Sequence, residues 1–183
     1  MMKFNIIHVT GASGSGTTTL AKFICCKYGY THLDTDDFFW EAIDPPFTVN
    51  REITTRQDLM LEAIERAGKC VISGSLTGWG DIFIPRFNLV IYLYTATELR
   101  LKRLRNRELQ RFGGRILPGG DMHKEHEEFI KWAAAYDTGG VEMRSAELHR
   151  EWLKQILCPI IELNGNLSCD ENLKRIEHNF YLG

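Results

Sequence analysis

Residues 11–18 read GASGSGTT, directly after the apolar run Phe4 to Val9 and directly before a helical pattern from Thr17 to Tyr28. No other feature of the chain limits its fold as strongly. Gly11, Gly14 and Gly16 permit a turn tight enough for successive backbone N–H groups to face one centre, and the helix opening at Thr17 adds its positive end. A strand, glycine loop and helix in this order form a phosphate cradle. The cradle comprises Gly11, Ala12, Ser13, Gly14, Ser15, Gly16, Thr17 and Thr18, and it fits the spacing G-x-x-x-x-G-K-[ST] except that Thr17 stands at the lysine position. Thr18 retains the hydroxyl that can meet Mg²⁺. The missing lysine is a mobile positive charge on the β- and γ-phosphates, and another cation has to supply it.

The remaining strands read as Tyr30 to Thr35, Lys69 to Ser73, Leu89 to Tyr94 and Ile160 to Leu163. Their apolarity is continuous rather than alternating, the pattern of strands buried on both faces of a parallel sheet. Helical spacing follows the loop and recurs from Thr54 or Thr55 to Ala67 and over 97–112, 121–137, 142–157 and 169–180. The fold class is therefore α/β, a three-layer α/β/α sandwich around a five-stranded, mostly parallel sheet. The 183 residues suit one domain, 1–183, from which two excursions depart at 36–68 and 112–140. Glycine pairs at 113–114, 119–120 and 139–140 bracket the second excursion, which reads as mobile rather than core.

Charge removes several partners from consideration. Twenty-two Lys and Arg against 24 Asp and Glu leave a net charge of −2, without the basic field that holds nucleic acid. No apolar run approaches the ~18 residues of a membrane span, and the opening MMKFNIIHVTG is too short for a secretory core, so a cytoplasmic protein is expected. Five cysteines without CxxC spacing read as reduced thiols. A monomer or homodimer fits this profile.

Ligands of open parallel sheets sit beyond the carboxyl ends of the strands, where Asp34, Asp36 and Asp37 follow the second strand. Asp34 and Asp36 project to one side of an extended segment and can hold a metal-bound water and accept a proton. The competing reading makes Asp36 or Asp37 the cap of a short helix through Phe38 to Ala42. The third strand ends Val71-Ile72-Ser73 without an acid, which increases the demand on Thr18 and Asp34 for metal placement. Arg100, Arg103, Arg107 and Arg111 share one helical face beside Leu101, Leu104 and Phe112, either as a solvated, self-paired face or as cations reaching over a cleft. Trp79, held between Gly78 and Gly80, either stacks on an acceptor ring or packs in the core. His123 and His126 lie three apart, but His126 continues the apolar row of Met122 and Phe129, which favours packing over metal binding.

These residues resemble the P-loop NMP and small-molecule kinases. The GSGTTT ending of the loop is similar to that of archaeal-type cytidylate kinases, which also lack the lysine, so the resemblance implies that Thr17 is compatible with activity. The stretches DTDDFFW, SGSLTGWGD and RILPGGDM are similar to a bacterial group labelled AAA-family ATPase or adenylate kinase-like. The Asp34-x-Asp36 pair resembles the acids after the second strand of shikimate and gluconate kinases, which implies that Asp34 helps hold hydrated Mg²⁺ and Asp36 contacts or deprotonates the acceptor. By the same resemblance Arg111 and Arg115 belong to a lid closing over phosphates and are the first candidates to replace the lysine, with Arg103 and Arg107 next. Arg56 is similarly placed to grip an acceptor anion. The implied activity is ATP- and Mg²⁺-dependent transfer of a γ-phosphoryl group to a small acceptor, a nucleoside, nucleoside monophosphate, polyol or acid. The alternative is a nucleotide-binding module with little turnover, in which Thr17 marks lost catalysis.

Overall fold

A computed structural model describes residues 4–181. Five strands, β1 (Ile6–Gly11), β2 (Thr31–Asp34), β3 (Cys70–Ser73), β4 (Leu89–Tyr94) and β5 (Ile160–Asn164), form one sheet in the order β2-β3-β1-β4-β5. Every pairing is parallel. The register sets Val9 and Asp34 on either side of Ser73, so the loop after β1 and the acids after β2 emerge at the same end of the sheet.

Alternation of apolar side chains between the two faces of each strand explains the layers. Ile7, Val9, Leu89, Ile91 and Leu93 face a core completed by Leu20 and Ile24 of α1 (Thr17–Tyr28) and by Leu173 and Ile176 of α7 (Cys169–Tyr181). Ile72 and Val90 face the opposite core, where Met60 and Ile64 of α3 (Ile53–Ala67), Phe83, and Trp152 of α6 (Ala146–Leu153) pack. Removing a buried branched side chain such as Ile91 to alanine costs about 2–5 kcal/mol, since it forfeits transfer free energy and leaves a cavity. His8 lies fully buried on the second face, stacked on Phe87 at 5.2 Å, and its Nδ1 lies 3.3 Å from the Ile72 carbonyl.

The helices differ from sequence expectation where capping decides. The short helix after β2, α2 (Thr35–Phe39), is capped by Asp34, whose Oδ1 accepts the Asp36 N–H at 3.2 Å. Neither Asp36 nor Asp37 caps it, and the helix stops at Phe39 because Trp40 leaves in extended conformation to bridge Asn50. The expected helix over 142–157 is shorter, since Ser145 starts it by accepting the Leu148 N–H. The segment 112–140 holds α5 (His123–Ala134), whose Ile130 and Ala133 bury against Leu104 of α4 (Thr97–Phe112), so part of it is core. Among the described residues no helix is long and apolar enough to cross a membrane.

Candidate active site

The glycine loop is held from outside. Gly14 and Gly16 take positive φ values of 80° and 103°, and a Cβ on Gly14 would stand 2.7 Å from the Arg100 carbonyl. Three arginines grip the loop's carbonyls at alternate positions. Arg144 Nη2 donates to Gly11 O at 3.1 Å, Arg100 Nη1 to Ser13 O at 3.4 Å and Arg103 Nη1 to Ser15 O at 3.2 Å. Thr95 Oγ1 adds a bond to Ser15 O at 3.0 Å. With its carbonyls engaged outward, the loop leaves the N–H groups of Gly14, Gly16, Thr17 and Thr18 without backbone acceptors among the described residues. Those groups and the start of α1 form an anion cradle.

Beside the cradle a row of oxygens crosses from α1 to β2 and β3. Thr18 Oγ1 donates to Asp34 Oδ2 at 3.1 Å, Ser73 Oγ donates to Thr18 Oγ1 at 3.4 Å, and His32 Nε2 lies 2.9 Å from Ser73 Oγ. Gly74 permits this approach, because a Cβ there would stand 1.9 Å from Thr35 Oγ1. A hydroxyl and a carboxylate are hard donors that suit a divalent cation completing its shell with water and phosphate oxygens.

Asp36 lines the adjoining cleft with an exposed side chain. Desolvation by the surrounding protein raises its pKa, repulsion from Asp34 raises it further, and Arg144 and Arg107 oppose the rise. Burial lowers the pKa of Arg144 while Asp36, Tyr136 and Asp34 raise it; a guanidinium remains charged throughout the working range. Among the described residues Arg144 Nε is buried without a partner.

The cleft has a volume of about 480 Å³. Its lining includes Ala12, Ser13, Gly14, Thr17 and Thr18 of the loop, the carboxylates of Asp34 and Asp36, and the guanidinium-bearing Arg107, Arg111 and Arg144. Arg107 is paired with Glu108 at 2.9 Å, and the Arg111 guanidinium lies 5.3 Å from the Phe47 ring centre.

Three expected site residues lie elsewhere. Arg115 Nη2 and Nε meet Asp121 at 2.7 and 3.1 Å, while Nη1 meets Asp44 at 2.8 Å. Arg115 thus clasps the two excursions together and does not line the cleft. Arg56 is 5 % exposed, donates from Nε to Arg51 O at 2.6 Å and lies 3.8 Å over the Phe39 ring. Trp79 is a core residue whose indole N–H donates to Ser75 O at 3.3 Å. Sequence reading missed Arg144. Its one local signal is its place directly before the helix-starting Ser145, after the Gly139-Gly140 pair.

Comparison with known proteins agrees with the parallel-sheet fold. The chain is 39% identical over 175 residues to the uncharacterized protein YqaC of Bacillus subtilis (strain 168), covering 96% of both chains. It is 31% identical over 113 residues to the cytidylate kinase of Archaeoglobus fulgidus and 32% identical over 119 residues to that of Thermococcus kodakarensis. Those matches take in 56% of this chain and 61% and 57% of the two kinases, respectively. Among solved structures, the shikimate kinase of Acinetobacter baumannii in complex with shikimate aligns with a TM-score of 0.52 at 19% identity, over 97% of this chain and 93% of that one. The shikimate kinase of Bacteroides thetaiotaomicron gives 0.53 at 19% identity, over 96% and 98%. No family model matches the chain. Parallel sheet and relatives together show the fold of the P-loop NMP and small-molecule kinases, and the chain belongs to one family with Bacillus subtilis YqaC.

Proposed function

We propose that the protein is a phosphotransferase that moves the γ-phosphoryl group of ATP to an oxygen of a small acceptor. The observation that carries this reading is the convergence of Asp36 and three arginines on one cleft beside the Gly11 to Thr18 cradle. A module that only binds nucleotide needs the cradle but not a carboxylate facing Arg144 and Arg107.

The loop N–H groups bind the phosphates and fix their direction. Thr18 and Asp34 would hold Mg²⁺, which when bound neutralises charge on the β- and γ-phosphates. Asp36 accepts the proton of an acceptor hydroxyl as its oxygen forms a bond to the γ-phosphorus and the bond to the β–γ bridging oxygen breaks. Desolvation and the neighbouring Asp34 raise its pKa toward that of a more useful base. Arg144, fixed to Gly11 O and facing Asp36, supplies the positive charge that Thr17 does not, with Arg107 and Arg111 approaching from α4.

Release of ADP over a panel of nucleosides, nucleoside monophosphates, shikimate and sugars with ATP and Mg²⁺ tests the proposal. Silence across the panel, together with nucleotide-dependent thermal stabilisation, would leave a binding module.

A further inference from the structure

We infer, on the basis of that kinase reading, that the cleft beside Asp36 takes an uncharged, ring-bearing alcohol of the nucleoside class rather than a nucleoside monophosphate or another anion.

The first argument is where the cations are. The excursion 36–68 carries Arg51, Arg56 and Arg66 and no lysine. All three are occupied by the protein. Arg51 donates from Nη1 to the carbonyls of Asp37 and Phe38 at 2.8 and 3.0 Å. Arg56 is sealed between Arg51 O and the Phe39 ring, and Arg66 pairs with Glu62 on the outer surface of α3. Arg115 is committed to Asp44 and Asp121. An acceptor phosphate would therefore meet no cation from the excursion that covers it.

The second argument is the balance inside the cleft. Its lining holds Arg107, Arg111 and Arg144 against the carboxylates of Asp34, Asp36, Glu108, Glu125 and Glu128. The donor triphosphate makes its own demand on those arginines in a loop without lysine. A second phosphate dianion would enter a site already short of positive charge, where like charges repel strongly at low dielectric.

The third argument is the surface offered instead. Trp40 and Phe47 from the excursion and Phe112, Phe129 and Trp132 from α4 and α5 line the same cleft. Flat aromatic faces recognise a planar ring without needing charge. His126 joins this lining with its Nδ1 buried and, among the described residues, unpartnered, a polar atom left for a base edge or sugar hydroxyl to satisfy. The nucleoside hydroxyl then meets Asp36, a base that a hydroxyl acceptor needs and an ionised phosphate acceptor does not.

The test compares each common nucleoside with its own 5′-monophosphate in ADP release with ATP and Mg²⁺. At least one nucleoside is expected to exceed its monophosphate about 100-fold in kcat/KM. Phe47→Ala is expected to raise the KM for that nucleoside about tenfold with the KM for ATP changed less than twofold. Faster turnover of monophosphates or of shikimate overturns the inference and leaves the kinase reading standing. If no acceptor is phosphorylated, calorimetry on the protein loaded with a non-hydrolysable ATP analogue and Mg²⁺ decides between them. Nucleoside binding at least tenfold tighter than monophosphate binding then supports the pocket assignment while the kinase reading falls. Equal or tighter monophosphate binding, or no nucleoside binding, overturns the assignment.

Discussion

Arg144 Nη2 lies 3.1 Å from the carbonyl oxygen of Gly11, a contact between residues 133 apart in the chain. It joins the segment before α6 to the first residue of the phosphate loop, and it sets a permanent cation opposite Asp36. In the usual loop the lysine rises from the helix beneath the phosphates. Here the cation descends from the far end of the chain, and its planar fork can hold the loop carbonyl with one nitrogen while others face the ligand.

Charge replacement of this kind predicts a rescue. Arg144→Ala is expected to lower kcat/KM for ATP on the order of 100-fold, the scale of losing one preorganised charge at a transferring phosphoryl group. Adding Thr17→Lys to that variant is expected to recover at least tenfold, because it restores a charge at the lysine position of the loop. Steady-state kinetics on the two variants decide it, and a double variant no better than Arg144→Ala removes Arg144 from the role.

Arg115 predicts a different signature. Its bonds to Asp44 and Asp121 tie the excursion 36–68 to the segment 112–140 at the surface, where ion pairs are screened by salt. Arg115→Ala is expected to raise the acceptor KM about threefold to tenfold at low salt with kcat nearly unchanged. The wild-type protein in about 0.5 M NaCl should approach the variant. A kcat loss matching that of Arg144→Ala would instead make Arg115 a catalytic residue.

The parts of the molecule legible in the sequence are those with a local cause. Continuous apolarity located β4 at Leu89–Tyr94, and the Gly16 and Gly29 boundaries located α1 at Thr17–Tyr28, because both signals lie within the element itself. Asp34 and Asp36 were legible as a pair because one ends a strand and the other lies two residues on. Arg56 and Arg115 were misplaced for one physical reason: a long guanidinium side chain takes whichever partner the fold delivers. Phe39 and Arg51 O reached Arg56, and Asp44 reached Arg115 from 71 residues away. The aromatic wall shared by Phe47, Phe129 and Trp132 assembles only when the two excursions meet, so helical spacing alone marked Phe129 as core.

Asp36 predicts activity and stability moving in opposite directions. Its folded pKa is raised, first by desolvation and then by Asp34, so the folded state binds its proton more readily than the unfolded state does. As pH rises through the window between the unfolded and the raised folded pKa, that group's contribution to stability falls, and above that window its ionised form is a net cost. Asp36→Asn is expected to raise Tm at pH 7 while lowering kcat about 10³-fold, and to remove the acid limb of the kcat/KM profile. An unchanged acid limb in a less active Asn variant would assign the proton to another group.

His8 and His149 predict acid sensitivity at a milder pH than carboxylates produce. Burial holds the His8 pKa at about 4, partly offset by the Ile72 carbonyl. Burial, with Arg144 and His8 adding repulsion, holds that of His149 at about 3. Both rings stay neutral in the folded protein while the unfolded chain takes up protons below the ordinary value of 6.5. Stability is therefore fully present above pH 6.5 and is lost as pH falls from there toward 4 for His8 and 3 for His149. Each ring contributes a slope of about 1.2 kcal/mol per pH unit between pH 6 and pH 5. The cause is visible in the packing: among the described residues His8 Nε2 has no partner, its ring lying against Phe87 and Trp152, and His149 spans Tyr136 OH at 2.6 Å and Ser75 Oγ at 3.2 Å. Urea unfolding measured at several values between pH 6 and pH 5 reads the combined slope. His8→Leu, which keeps an apolar group between the two rings, is expected to halve that slope whatever it does to stability at pH 7. A slope unchanged by His8→Leu would mean that the ring already titrates freely in the folded protein.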